Sequence, residues 1–163
     1  MRTVLAVTIA LALCGPGAAL AARVNAATDL SQMVSAYERV QAVRVIERFE
    51  NGAVATVDVL PSGQYRIAST GGQDPVLIVK LATQPIPDVS VMPSSYTVKE
   101  LGTKTIAGVK ETGYTIAALD GSYTATVWTN PDYLPVDAEI RTQGHDVSLE
   151  FGNYNDSELI GAR

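Results

Sequence analysis

The chain has 163 residues, a net charge of −5 and a single cysteine, Cys14. No cluster of Lys or Arg is present to neutralise phosphates, so nucleic acid is excluded as a partner, and attraction to anionic lipid surfaces by charge is disfavoured. One cysteine cannot form an internal disulfide, so the fold must hold by packing alone.

Residues 1–22 read as a secretory signal: Arg2 is the short basic start, Thr3–Leu13 the apolar centre, and Ala19-Leu20-Ala21 fits a small-residue cleavage site. Val24-Asn25-Ala26 is a second cleavage option. The alternatives are an uncleaved leader that anchors the chain and a lipoprotein leader processed at Cys14. The first is weakened by Gly15-Pro16-Gly17, the second by Leu13 where a small residue is wanted. Export to the periplasm or another extracytoplasmic space is the expectation. About 140 residues remain after the leader, enough for one domain over 27–160 with a full core.

Asp29–Val40 predicts the main helix. Asp29 can cap it, and Leu30, Met33, Val34, Tyr37 and Val40 form one apolar stripe. Val43–Glu50 and Val54–Leu60 alternate on either side of Asn51-Gly52, a strong hairpin signal. Val43, Val45 and Phe49 share a side, as do Ala55, Val57 and Val59. Pro61-Ser62-Gly63 turns into a strand over Gln64–Ser69, with Tyr65 and Ile67 on one side. Val76–Leu81 is nearly all apolar and predicts a strand buried on both faces.

Ala82–Ser95 contains Pro85, Pro87 and Pro93, which forbid a central strand. It predicts an irregular crossing, or a flap whose Ile86 and Val89 could cover an opening. Tyr96–Glu100 and Thr103–Ile106 predict short strands around Gly102. Thr112–Ala118 pairs through Asp120-Gly121 with Tyr123–Thr129. Asn130-Pro131-Asp132 ends that strand, Val136–Thr142 alternates cleanly, and Val147, Leu149 and Phe151 carry the apolar side of the last strand. Short connections make the neighbours antiparallel.

Tyr123–Asp156, with its strand, Asn-Pro-Asp-Tyr turn, "LPVDAEI", glycine turn and "VSLEFGNYND", resembles the end of the bacterial LolA-like proteins. Tyr96–Tyr114 resembles the passage that precedes it in the same group, which includes lipoprotein-sorting proteins, LolB, LppX/LprG-type proteins and the RseB-type sensor domain. The resemblance implies a mainly β (α+β) fold: a half-open antiparallel β-barrel of about eight or nine strands whose concave side takes lipid chains, with one N-terminal helix and a loop as lid. On that basis Val45, Phe49, Val57, Val59, Ile67, Ile116, Ile140 and Leu149 are candidates to line an apolar hollow, and Met33, Tyr37, Ile86 and Val89 to close it. Trp128 shares its side with Thr124 and Thr126 and is left unassigned. Where the dedicated lipoprotein carriers place an Arg before the turn proline after the second strand, this chain has Leu60.

Catalytic chemistry finds no support. His145 is the only histidine, in a glycine-containing turn, and Asp146 beside it points to the opposite side of the pleat. No G-x-S-x-G or P-loop pattern occurs. Asp58, Asp137, Glu139 and Glu150 alternate with apolar residues and read as ordinary outer-face carboxylates. The expectation is therefore a monomeric, non-enzymatic protein without metal or cofactor. Its partner is an acyl chain or a lipidated protein, the alternative being an interaction or sensor domain with an envelope protein partner.

Overall fold

The computed structural model describes residues 28–87, 95–142 and 144–161. The leader 1–22 and its cleavage options, with Cys14 and Val89, lie outside them. A helix, α1, covers residues 28–38. It is followed by β1 (Val43–Phe49), β2 (Val54–Val59), β3 (Tyr65–Ser69), α2 (Pro75–Thr83), β4 (Tyr96–Ile106), β5 (Val109–Ala118), β6 (Tyr123–Thr129), β7 (Pro135–Thr142), β8 (His145–Gly152) and α3 (Ser157–Gly161). Among the described residues no helix is long and apolar enough to cross a membrane.

The eight strands form one antiparallel sheet in the order β3-β2-β1-β8-β7-β6-β5-β4. The first three strands meander outward from β1, and the last five meander back until β8 pairs with β1. Among the described residues β3 and β4 are left as free edges, so the barrel stays half open, as the resemblance implies.

Turn chemistry sets the register. Gly52 takes φ 81°, the left-handed conformation that a tight hairpin requires, and Asn51 Oδ1 accepts from the Ala53 N–H at 3.0 Å. Asn130 Oδ1 accepts from the N–H groups of Asp132 and Leu134, both at 3.0 Å, which folds the Asn-Pro-Asp-Tyr turn. Expected as two short strands, 96–106 is one strand of eleven residues whose pairing with β5 slips at Gly102 (φ 105°). The bulge absorbs the irregularity without breaking the ladder.

Val76–Leu81 is helical, not a strand. Asp74 caps α2 by accepting from the Val76 N–H at 2.9 Å, and Pro75 occupies the first turn, where its missing N–H costs nothing. Ile78 and Ala82, one turn apart, are the buried face, while Val76 is 75% exposed. An all-apolar run is thus compatible with a helix that buries only one side.

Strand alternation puts Val45, Val57, Ile116, Ala125, Val127, Ala138 and Leu149 on the concave face, all buried. Leu30 and Met33 of α1 have no exposed surface, each contributing about 1.5–3 kcal/mol by burial. Alanines at 55, 125 and 138 leave room for helices to approach. Tyr37 meets Phe151 edge to face at 5.9 Å and donates its hydroxyl hydrogen to the Ala82 carbonyl at 2.6 Å, tying α1 to α2. Asp29 lies within the helix and is not its cap; its carboxylate accepts from the Tyr114 hydroxyl at 3.2 Å.

Asp58 does face outward, as expected, but it has no exposed surface. Arg44 Nε lies 2.7 Å from Oδ1 and Arg66 Nε 3.1 Å from Oδ2. Burial alone would raise its pKa; the hydrogen bonds from the two guanidinium groups outweigh that and hold it below the usual carboxylate range.

Candidate functional site

Between α1, α2 and the concave sheet lies a cavity of about 860 Å³. Its floor is Tyr96, Tyr123, Ile140 and Val147. One wall is Val34 and Tyr37 of α1, the other Leu77 and Leu81 of α2, and Pro85, Ile86 and Pro87 extend the second wall. The mouth is polar: Glu38, Lys80, Gln84, Thr142 and His145 all line it and are exposed. An apolar interior with a charged and hydrogen-bonding rim matches an amphiphile, tail inside and head in water.

Pairing explains the floor. Tyr123 is opposite Thr142, which is opposite His145; Ile140 is opposite both Ala125 and Val147. The cavity therefore occupies the end of the sheet near the β7–β8 hairpin. Tyr123 meets Tyr96 edge to face at 6.3 Å, and its hydroxyl is buried without a protein partner. Burial pushes the Tyr123 phenol up, with Tyr96 adding to the effect.

Of the candidates for the hollow, Ile140 is in the cavity floor. Val45, Val57, Ile116 and Leu149 are fully enclosed in the core, Phe49 is nearly so, and Val59 is half-buried against it. Ile67 faces α2 in a smaller hollow with Tyr65, Pro75 and Val79. Of the candidates for the lid, Tyr37 and Ile86 line the cavity, while Met33 is in the core. His145 is exposed, as its turn implies, and it is also part of the cavity mouth. Trp128 is on the outer face, with Lys104 Nζ 4.0 Å from its ring centroid.

Two features escape a reading of strand alternation, a wall of the cavity and a buried acid outside it. The α2 residues Leu77 and Leu81 come from the apolar run that reads as a strand. The other is Glu47, which stands in phase with Val43, Val45 and Phe49 and so points into the concave face with no exposed surface. Neither carboxyl oxygen has a protein hydrogen-bond partner. Burial pushes its pKa up to about 8, so the group carries its proton at neutral pH. An acid at an apolar-phase position was the signal. Among the described residues no group of three His, Cys, Asp or Glu could hold a metal ion.

An open antiparallel sheet carrying helices across its concave face is the LolA-like half-barrel, and this chain has that fold. The structural match to the Mycobacterium tuberculosis lipoprotein LppX covers 81% of this chain and 96% of that one, at 18% identity and a TM-score of 0.54. The match to MucB covers 83% of this chain and 62% of that one, at 17% identity and a TM-score of 0.52, so this chain spans less than two thirds of MucB. No protein-family model and no curated protein sequence matches the chain.

Proposed function

We propose that this protein is an exported, non-enzymatic binder of lipids or lipid-modified partners, which sequesters acyl chains between its two long helices and the concave sheet. The observation that carries this reading is the cavity itself, about 860 Å³, apolar within and polar at its mouth. That volume falls in the range of roughly 300–1,000 Å³ typical of small-molecule sites. Each methylene moved from water into it contributes about 0.8 kcal/mol, so a long chain binds without a polar contact. The half-barrel fold shared with the lipoprotein LppX supports the same reading. Native mass spectrometry of protein isolated from its own membrane extract tests it, together with displacement of a fluorescent fatty acid. Co-purifying lipid and saturable displacement are expected; an unliganded protein that takes up no probe would refute it.

A second reading is favoured by the free edge. Among the described residues β4 has no neighbour on its outer side along its eleven residues, and Leu101 and Ile106 are about half exposed there. An extended segment of an envelope protein could add a strand to this edge, which would make the domain a sensor or interaction module. Charged substitution at Leu101 would then abolish partner binding and leave lipid uptake intact.

A further inference from the structure

The two helices present similar stripes to the cavity. On α1, Val34, Tyr37 and Glu38 fall at i, i+3 and i+4; on α2, Leu77, Lys80, Leu81 and Gln84 fall at i, i+3, i+4 and i+7. Each stripe is apolar where it is half-buried and carries one full charge where it is exposed. An acid and a base therefore stand on opposing walls of one mouth. Elsewhere the strands pair their charges: Arg48 with Glu150, Arg141 with Asp146, and Lys104 with both Glu111 and Asp137. Among the described residues neither Glu38 nor Lys80 has an ion-pair partner, and they do not bridge each other.

Helix polarity makes Glu38 the more telling of the two. It is the last helical residue of α1, while Lys80, Thr83 and Gln84 belong to the last turn and cap of α2. The C-terminal ends of both helices thus border the mouth, and each carries the partial negative charge of its final carbonyls. That field suits Lys80 and works against Glu38, where a Lys or Arg would be the stabilising choice. An acid held at one helix C-terminus, with a second C-terminus bordering the same mouth, makes a place for a cation that the ligand brings.

We infer that the mouth of the cavity selects an amphiphile with a zwitterionic head, its ammonium toward Glu38 and its phosphate toward Lys80. A purely anionic head gains Lys80 but meets Glu38 and the two helix ends, and a purely cationic head meets Lys80. Only a head that carries both signs satisfies both walls. Gln84 and His145, also at the mouth, supply hydrogen-bond donors for the remaining head-group oxygens. The inference rests on the lipid-binding reading above and adds the class of head group.

The test compares three single-chain lipids of equal chain length, each below its micelle-forming concentration: lysophosphatidylethanolamine, lysophosphatidylglycerol and a monoacylglycerol. Direct binding is measured at low salt for wild type, for E38K, and for the double variant that combines E38K with K80E. Wild type is expected to favour the ethanolamine lipid over the other two by about fivefold, the scale that two exposed ion pairs set, and the preference should shrink in high salt. E38K, which leaves two bases at the mouth, should reverse the order in favour of the glycerol phospholipid. The double variant only exchanges the charges between the walls, so it should restore the preference for the zwitterion. Equal affinity for all three heads, an order that E38K leaves unchanged, or a double variant that behaves like E38K overturns the head-group site and leaves the cavity standing. No binding of any of the three lipids overturns the cavity reading as well.

Discussion

Trp128 lies against Gly113, its partner across the β5–β6 ladder, so closely that a methyl group at position 113 would fall 2.8 Å from ring carbons Cη2 and Cζ3. The ring is also capped by Lys104, whose ammonium reaches Asp137 and Glu111, each at 3.2 Å. The outer face of β4–β7 is thus stitched by a cation over an aromatic ring that only glycine lets lie flat. Gly113→Ala should force the ring aside, weaken the cation–π attraction and cost about 1–3 kcal/mol. Trp128 is the only tryptophan in the chain, so its emission reports the displacement directly. An unshifted emission spectrum and an unchanged urea midpoint would contradict the packing described.

Asp58 supplies an acid-sensitive clamp between β1, β2 and β3. Its folded pKa is below the ordinary value of 3.8, so the clamp is fully formed above that value and is lost as pH falls through the lower, folded one. Asp58→Asn should destabilise by about 1–3 kcal/mol near neutral pH, because Arg44 and Arg66 are partly exposed and recover water when released. The difference between variant and wild type should shrink below about pH 3.8. Urea midpoints measured across the acid range check both the size and the sign.

Glu47 acts in the opposite direction. Its folded pKa of about 8 exceeds the ordinary 4.5, so the folded state keeps a proton that the unfolded chain gives up. Stability is highest below about pH 4.5, falls as pH rises toward 8, and levels off beyond. Glu47→Gln removes this dependence and should be more stable than wild type by about 2–4 kcal/mol near pH 8, with little difference near pH 4. Thermal melts at several pH values measure it; parallel curves for the two proteins would place the carboxyl in water.

Most of the sheet was legible because each strand writes its pleat into the chain: Val136–Thr142 and the hairpins at Asn51-Gly52 and Asp120-Gly121 pair as their patterns require. Residues 76–81 were not legible from periodicity, since an unbroken apolar run has none. The deciding signal was local, Asp74-Pro75 as cap and first turn. The cavity was half legible. Alternation finds the concave face, yet a cavity exists only where a helix stops short of that face: Val45, Leu149 and Ile140 are all buried, but of the three Ile140 alone lines the cavity. Glu47 shows the limit from the other side. A single acid in the apolar phase of β1 marks a buried, unpaired carboxyl that a roll of hydrophobic positions passes over.

Leu81 is the place to test the cavity without disturbing the sheet. It is half-buried on α2, faces the cavity opposite Ile140 and Val147, and makes no part of the fully enclosed core. Leu81→Trp should place an indole in the cavity, so stability should change by less than about 1 kcal/mol while capacity falls. A volume effect has a signature that general damage lacks: long acyl chains should lose affinity by tenfold or more, and short ones far less, because each excluded methylene forfeits about 0.8 kcal/mol. Titration of fatty acids of increasing length against both proteins reads this out as a length cutoff. Equal loss at every length would mean that the chains bind elsewhere, and no loss at all would mean that the tail does not run between α2 and the sheet.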